Sequence, residues 1–176
     1  MFGIGESESN ALKLLEKDHD DVDALFKQYD SEKDEMKAAQ KQKLAMQICD
    51  MLTVHATIEE EIFYPAIRNL DEETKDLVAE AAVEHQSLKD IIGRLESAPP
   101  SDPLYDAGVK VLAEYVKHHV KEEENEIFPK VRSSDLDFDA LGERLMERKS
   151  ELEGQGSRAR GGKRGSNSKS QESRAG

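Results

Sequence analysis

Two stretches of this chain set a histidine four residues before a glutamate. Residues 55–65 read HATIEEEIFYP and residues 119–129 read HVKEEENEIFP. Each runs from His through a Glu at the fourth position to an apolar–aromatic pair and a Pro at the tenth. Residues four apart share one helix face, so His55 and Glu59 aim at one region, as do His119 and Glu123. A carboxylate carried into a core needs a counter-charge. A divalent cation supplies that charge and takes the imidazole lone pairs as well.

Two further histidines, His19 and His85, extend the pattern. Four of the five histidines then fall one per helical segment, each on an apolar stripe. His19 lies among Leu12, Leu15, Val22, Phe26 and Tyr29, and His55 among Leu44, Ile48, Met51, Ile58 and Ile62. His85 lies among Leu77, Ala81, Leu88, Ile92 and Leu95, and His119 among Val109, Leu112, Val116 and Ile127. One such histidine is ordinarily a satisfied core residue. Four of them, converging without partners, would bury unsatisfied polar groups at ~1–3 kcal/mol each. Four ligands saturate a zinc ion. The six residues His19, His55, Glu59, His85, His119 and Glu123 suit two iron or manganese ions instead.

The elements that must position these residues are helices. The first begins at Ser9 or Asn10 as a cap. The second runs from about Met36 past His55, and Pro65 kinks or ends it. The third follows Asp71 as a cap and stops at residues 97–103, SAPPSDP. The fourth spans about Leu104 to Phe128 and ends at Pro129. A shorter fifth runs from Asp137 to about Leu152, with Asp135 as its cap and Phe138, Leu141 and Leu145 on one face. The expected fold is all-α, an up-down-up-down four-helix bundle with a short fifth helix. Residues 1–153 form the bundle. Residues 154–176, rich in Gly, Ser, Arg and Lys and without apolar period, form a disordered basic tail.

Composition narrows the function classes. The chain is 36% charged, contains no Trp, and carries a net charge of −13. The tail holds about +5, leaving about −18 for residues 1–153. So acidic a body does not suit nucleic-acid binding. The RGG-like run from Arg158 to Arg164 is expected to solubilise the end, with nucleic acid, anionic lipid or the acidic body as other partners. Cys49 is the single cysteine, so no intrachain disulfide forms. No leader pattern is visible at the N-terminus, and no apolar stretch approaches the ~20 residues of a membrane span. The expectation is a cytoplasmic helical protein; oligomeric state is not readable.

The order His19 … His55-x3-Glu59 … His85 … His119-x3-Glu123 resembles the hemerythrin-like, HHE cation-binding family over residues 10–130. The resemblance implies a four-helix bundle around a non-haem di-iron centre, with manganese or zinc ranked behind iron. It implies Glu59 and Glu123 as bridging carboxylates and His19, His55, His85 and His119 as terminal ligands. Oxygen-carrying hemerythrins place two histidines four apart on the third helix. Here Ala81 and Lys89 flank His85 at that spacing. The carriers also use His-x4-Asp on the fourth helix, where this chain has His119-x3-Glu123. A site one histidine poorer implies binding of oxygen, peroxide or nitric oxide for sensing, or weak catalase- or peroxidase-type breakdown, rather than oxygen carriage. A metal-responsive interaction module and iron storage or donation are the alternatives.

Several residues near the pattern receive blander readings. His118 with Glu122 repeats the His-x3-Glu spacing but falls off the stripe, so it is read as surface or as a support behind the ligands. Glu16 and Asp23, beside His19, are read as solvated. Glu16-x-x-His19 is half of a ferritin-like signature whose second half is missing. Tyr115, one turn before His119, is read as packing, with hydrogen bonding at the iron site as its other role.

Overall fold

The computed structural model describes residues 10–162, with side chains described from 11 to 156. Nine segments follow in chain order: α1 (Asn10–Glu32), α2 (Ala38–Ile58), a wide π-turn (Glu59–Phe63), α3 (Tyr64–Ile67), α4 (Glu72–Ser97), α5 (Tyr105–Glu122), a second π-turn (Glu123–Ile127), α6 (Phe128–Arg132) and α7 (Phe138–Gly162). The π-turns join α2 to α3 and α5 to α6 without a break, so five rods result. The architecture is an all-α bundle in which α1, α2, α4 and α5 close a ring and α7 lies along α1 and α2. No described helix is long and apolar enough to cross a membrane.

Two apolar clusters fill the bundle, one on each side of the histidine layer. Val22, Phe26, Ile48, Leu88, Ile92, Leu112 and Val116 lie among the first. Leu12, Leu15, Phe63, Tyr64, Ile67, Phe128 and Val131 lie among the second, which α7 completes with Leu141 and Leu145. Each large apolar side chain so buried contributes ~1.5–3 kcal/mol. That outlay lets the fold hold polar groups between the clusters.

Four helix boundaries differ from the sequence expectation. Pro65 and Pro129 do not end their helices, which continue to Ile67 and Arg132. The reason lies just upstream. In each π-turn the hydrogen bonds shift by one residue: Tyr64 N–H reaches Glu59 C=O and Phe128 N–H reaches Glu123 C=O. A locally widened ladder accommodates a proline that a regular α-helix excludes. Asp71 caps α4 as expected, its carboxylate accepting from Thr74 N–H at 2.7 Å. At α7 the cap is Asp137, which accepts from Ala140 N–H at 2.9 Å, rather than Asp135. The α7 backbone runs past Gly154 to Gly162. The expected cap Ser9 and the tail from residue 163 lie outside the described residues.

Candidate metal centre

The four helices bring His19, His55, His85 and His119 into one layer with Glu59 and Glu123. All six are buried, the two glutamates completely. Ligand atoms of His19, His55, Glu59 and Glu123 lie within 4.8 Å of one another, as do those of Glu59, His85 and His119. Glu59 belongs to both groups. Its Oε1 lies 3.1 Å from His55 Nε2 and its Oε2 lies 3.4 Å from His85 Nε2. Glu123 Oε2 lies 3.2 Å from His19 Nε2 and 3.6 Å from His119 Nε2. Each carboxylate thus touches one histidine of either pair.

Every one of the four imidazoles is held from behind by a carboxylate. His19 Nδ1 donates to Glu124 at 2.9 Å, and His55 Nδ1 donates to Asp18 at 3.3 Å. His85 Nδ1 donates to Glu60 at 3.0 Å, and His119 Nδ1 donates to Glu84 at 2.7 Å. A carboxylate only accepts, so each Nδ1 donates outward, and each Nε2 is the inward atom whose lone pair a metal would take in place of a proton. Those inward atoms face each other, His19 Nε2 to His55 Nε2 at 3.2 Å and His85 Nε2 to His119 Nε2 at 3.0 Å. Glu59 Oε1, Glu59 Oε2 and Glu123 Oε2 are buried with no hydrogen-bond donor. These inward nitrogens and orphaned carboxylate oxygens need positive charge among them, supplied by protons on the imidazoles or by a metal cation that displaces them. This donor set fits bound metal, and a carboxylate behind each histidine is the usual support of such ligands.

The supports obey a two-fold pattern. Asp18 and Glu84 each precede a core histidine and hold the histidine of the next long helix. Glu60 and Glu124 each follow a core glutamate and hold a histidine from the other helix pair. The His-to-His separations, 36 and 34 residues, nearly match. The repeat seen at 55–65 and 119–129 therefore extends through both helix pairs.

Tyr64 and Phe128 break the symmetry. Tyr64 donates its hydroxyl proton to Glu123 Oε1 at 2.7 Å and lies 3.4 Å from His85 Nε2. Its counterpart Phe128 stacks on His19 at 5.9 Å. Burial, reinforced by Glu123 and Glu59, raises the Tyr64 phenol well above its ordinary range, so it keeps its proton. Tyr115, the phenol named from sequence, is half-exposed and takes no part.

Electrostatics follow from the same contacts. For Asp18, burial would raise the carboxyl, but His55 and Lys149 outweigh it and hold it low. Glu59 is held well below its usual range by His55 and His85 against the cost of burial. Lys149, on α7, pairs with Asp18, and Lys89 pairs with Glu60 at 2.7 Å. Lys89 thus serves the support of His85 rather than the core. Glu16 pairs with Arg132 and Asp23 with Lys27, both at the surface as expected. His118 is 64% exposed and turns to Glu122 and Glu84. Cys49 is sealed in the core, where burial pushes its thiol up to about 12.

Sequence reading missed five residues of this arrangement: Asp18, Glu60, Glu84, Glu124 and Tyr64. The signal for four of them was adjacency to the core residues in the extended repeat. Asp18→Asn tests the supports: it leaves shape intact and weakens the hold on His55. Metal affinity falls about 10–100-fold, read by competition with a chromophoric chelator.

A cavity of about 20 Å³ adjoins the four histidines, walled by Leu52, Leu88, Ile92, Val116 and Val120. That volume holds one water-sized molecule. A larger groove of about 520 Å³ runs between α1 and α5 and reaches His19 and Glu124.

The comparisons agree with this architecture. A DNA nickase of Nostoc sp. is 29% identical over 134 residues, which is 75% of this chain and 36% of that protein. The chain thus spans about a third of that relative's length. The crystal structure of a hemerythrin HHE cation binding domain-containing protein of Mycobacterium kansasii superposes with a TM-score of 0.67 at 24% identity, over 82% of this chain and 88% of that one. The fold is shared. The family description "Hemerythrin HHE cation binding domain" matches residues 10–131, and the chain belongs to that family.

Proposed function

We propose that this chain holds two non-haem iron ions on His19, His55, Glu59, His85, His119 and Glu123 and binds dioxygen, peroxide or nitric oxide there. The roles are sensing or peroxide breakdown. The observation that carries the reading is the cavity of about 20 Å³ against the four histidines. Its volume, about that of one water-sized molecule, suits a small ligand rather than a bulky organic substrate. Two ions held by these residues would supply a reversible change of oxidation state and Lewis acidity.

The chain's own groups do the rest. Leu52, Leu88, Ile92 and Val116 wall the cavity and keep bulk water out. Asp18, Glu60, Glu84 and Glu124 fix the imidazole planes. Tyr64 orients Glu123 and holds a proton at its Oη within reach of His85 Nε2. The groove between α1 and α5 is the approach from solvent.

Peroxide consumption by iron-loaded protein, followed with an oxygen electrode, tests the reading. The spectral response to anaerobic nitric oxide is read beside it. Both responses are expected in the wild type and absent from Glu59→Gln. Responses of equal size in that variant place the chemistry elsewhere, and a silent wild type ends the proposal.

A second reading has one specific support. The Nostoc relative is a DNA nickase and this chain matches about a third of it, which suits a sensing module joined to another activity. In that case ligand binding changes the affinity for a partner and peroxide turnover is incidental.

A further inference from the structure

The two-fold pattern of the supports fails at Asp18 and Glu84, and this failure exposes a second cluster of ligands. Asp18 and Glu84 are counterparts. Asp18 spends one oxygen on His55 and the other on Lys149, a cation that α7 brings to it. Glu84 spends Oε2 on His119 at 2.7 Å, and its Oε1 faces His118 Nε2 at 3.4 Å. His118 Nε2 also lies 3.0 Å from Glu122 Oε1. Ligand atoms of Glu84, His118 and Glu122 all lie within 4.8 Å of one another. Glu80 and Glu126 stand one helical turn from Glu84 and Glu122, which adds carboxylates to the rim. Among the described residues, neither lysine nor arginine pairs with Glu84 or Glu122. The half of the molecule that lacks the α7 lysine thus gathers carboxylates and an imidazole where its counterpart holds a positive charge.

We propose that Glu84, His118 and Glu122 form a separate, solvent-facing site for a divalent first-row cation, which feeds the buried centre. Two carboxylates and one imidazole suit Mn²⁺, Fe²⁺ or Zn²⁺; magnesium and calcium prefer oxygen ligands throughout. His118 is 64% exposed while the Glu84 side chain is 18% exposed, so the site opens outward and is anchored inward. Glu84 belongs to both sites. Its Oε2 accepts from Nδ1 of His119, whose Nε2 points into the centre. A cation held by Glu84 and His118 therefore sits one carboxylate away from a buried ligand. The feeding step rests on the reading of the buried centre as a metal site; the outer site does not.

Iron-loaded protein titrated with Mn²⁺, with free Mn²⁺ followed by electron paramagnetic resonance, tests the outer site. The wild type is expected to take up one further ion per chain. His118→Ala and Glu122→Gln bind it at least tenfold more weakly, with the iron absorption unchanged. No added ion in the wild type, or equal uptake in all three proteins, overturns the site. Refilling of metal-free protein with Fe²⁺ tests the feeding step. Both variants are expected to refill several-fold more slowly to the same final iron content, and equal rates overturn that step. A wild type that takes up no iron overturns the centre and the feeding step together. In that event the Mn²⁺ titration is read as the difference between the wild type and the His118→Ala and Glu122→Gln variants, which still decides the outer site.

Discussion

Stripping the metal with a chelator is expected to lower the Tm by roughly 8–16 °C. An ion present at about 1,000 times its Kd stabilises the folded state by ~4 kcal/mol. For a chain of this size ~1 kcal/mol shifts Tm by ~2–4 °C. Ligands from four helices make binding and packing one event, so each ion lost loosens the whole layer. The effect grows with pH, and its sign follows from the histidines. Burial opposes protonation of His55, but Glu59 and Asp18 outweigh it and push the group up to about 10. His119 is likewise buried, and Glu123 and Glu84 push it up to about 9. Both lie above the ordinary value of ~6.5. In the metal-free protein their stabilisation is therefore complete below pH ~6.5 and is lost as pH rises through about 9 to 10. Metal affinity rises over the same range, because protons and cations compete for the same lone pairs. Melting curves with and without chelator between pH 6 and 10 should diverge upward. Curves that coincide at every pH would mean that no metal stabilises this fold.

Glu59→Gln is expected to empty the centre. Glu59 is fully buried, both its oxygens lack donors, and it belongs to both ligand groups. Glutamine keeps the shape, removes the charge and turns one acceptor into a donor aimed at the ligand layer. Breaking a buried charge pair costs ~3–5 kcal/mol, roughly a 10²–10³-fold loss of affinity or more. Iron content should fall from about two per chain to less than about one, with the Tm near that of the chelated wild type. Glu61→Gln is the control in the same Glu run. Glu61 turns outward to Arg148 at 2.7 Å, so its loss leaves the iron content unchanged. Equal iron in wild type and Glu59→Gln would remove Glu59 from the ligand set.

The contrast between Glu59 and Glu61 shows where sequence periodicity carries and where it stops. The apolar stripes of α1, α2, α4 and α5, their breaks and the inward phase of His19, His55, His85 and His119 are local properties. They follow from 3.6 residues per turn and were legible directly. The spacing of four set Glu59 and Glu123 on the same faces. Tyr64 was not legible, because a regular helix puts it about 140° around the axis from Glu59. The π-turn over Glu59–Phe63 removes part of that offset and returns Tyr64 to the layer. The same turn carries the chain through Pro65, which local rules read as a stop.

The remaining features arise from packing between helices. Glu124 meets His19 across 105 residues of chain, and no spacing rule links them. Asp18 is buried because α7 crosses α1 and delivers Lys149, whereas its counterpart Glu84 keeps contact with solvent. The cavity beside the histidines exists because Leu52, Leu88, Ile92 and Val116 from three helices stop short of the imidazoles. Helix phase and ligand type are properties of neighbours along the chain, so the residues alone state them. Which carboxylate backs which histidine, and how much space is left beside them, depends on the distances between helices, and those are set only when the apolar faces close on one another.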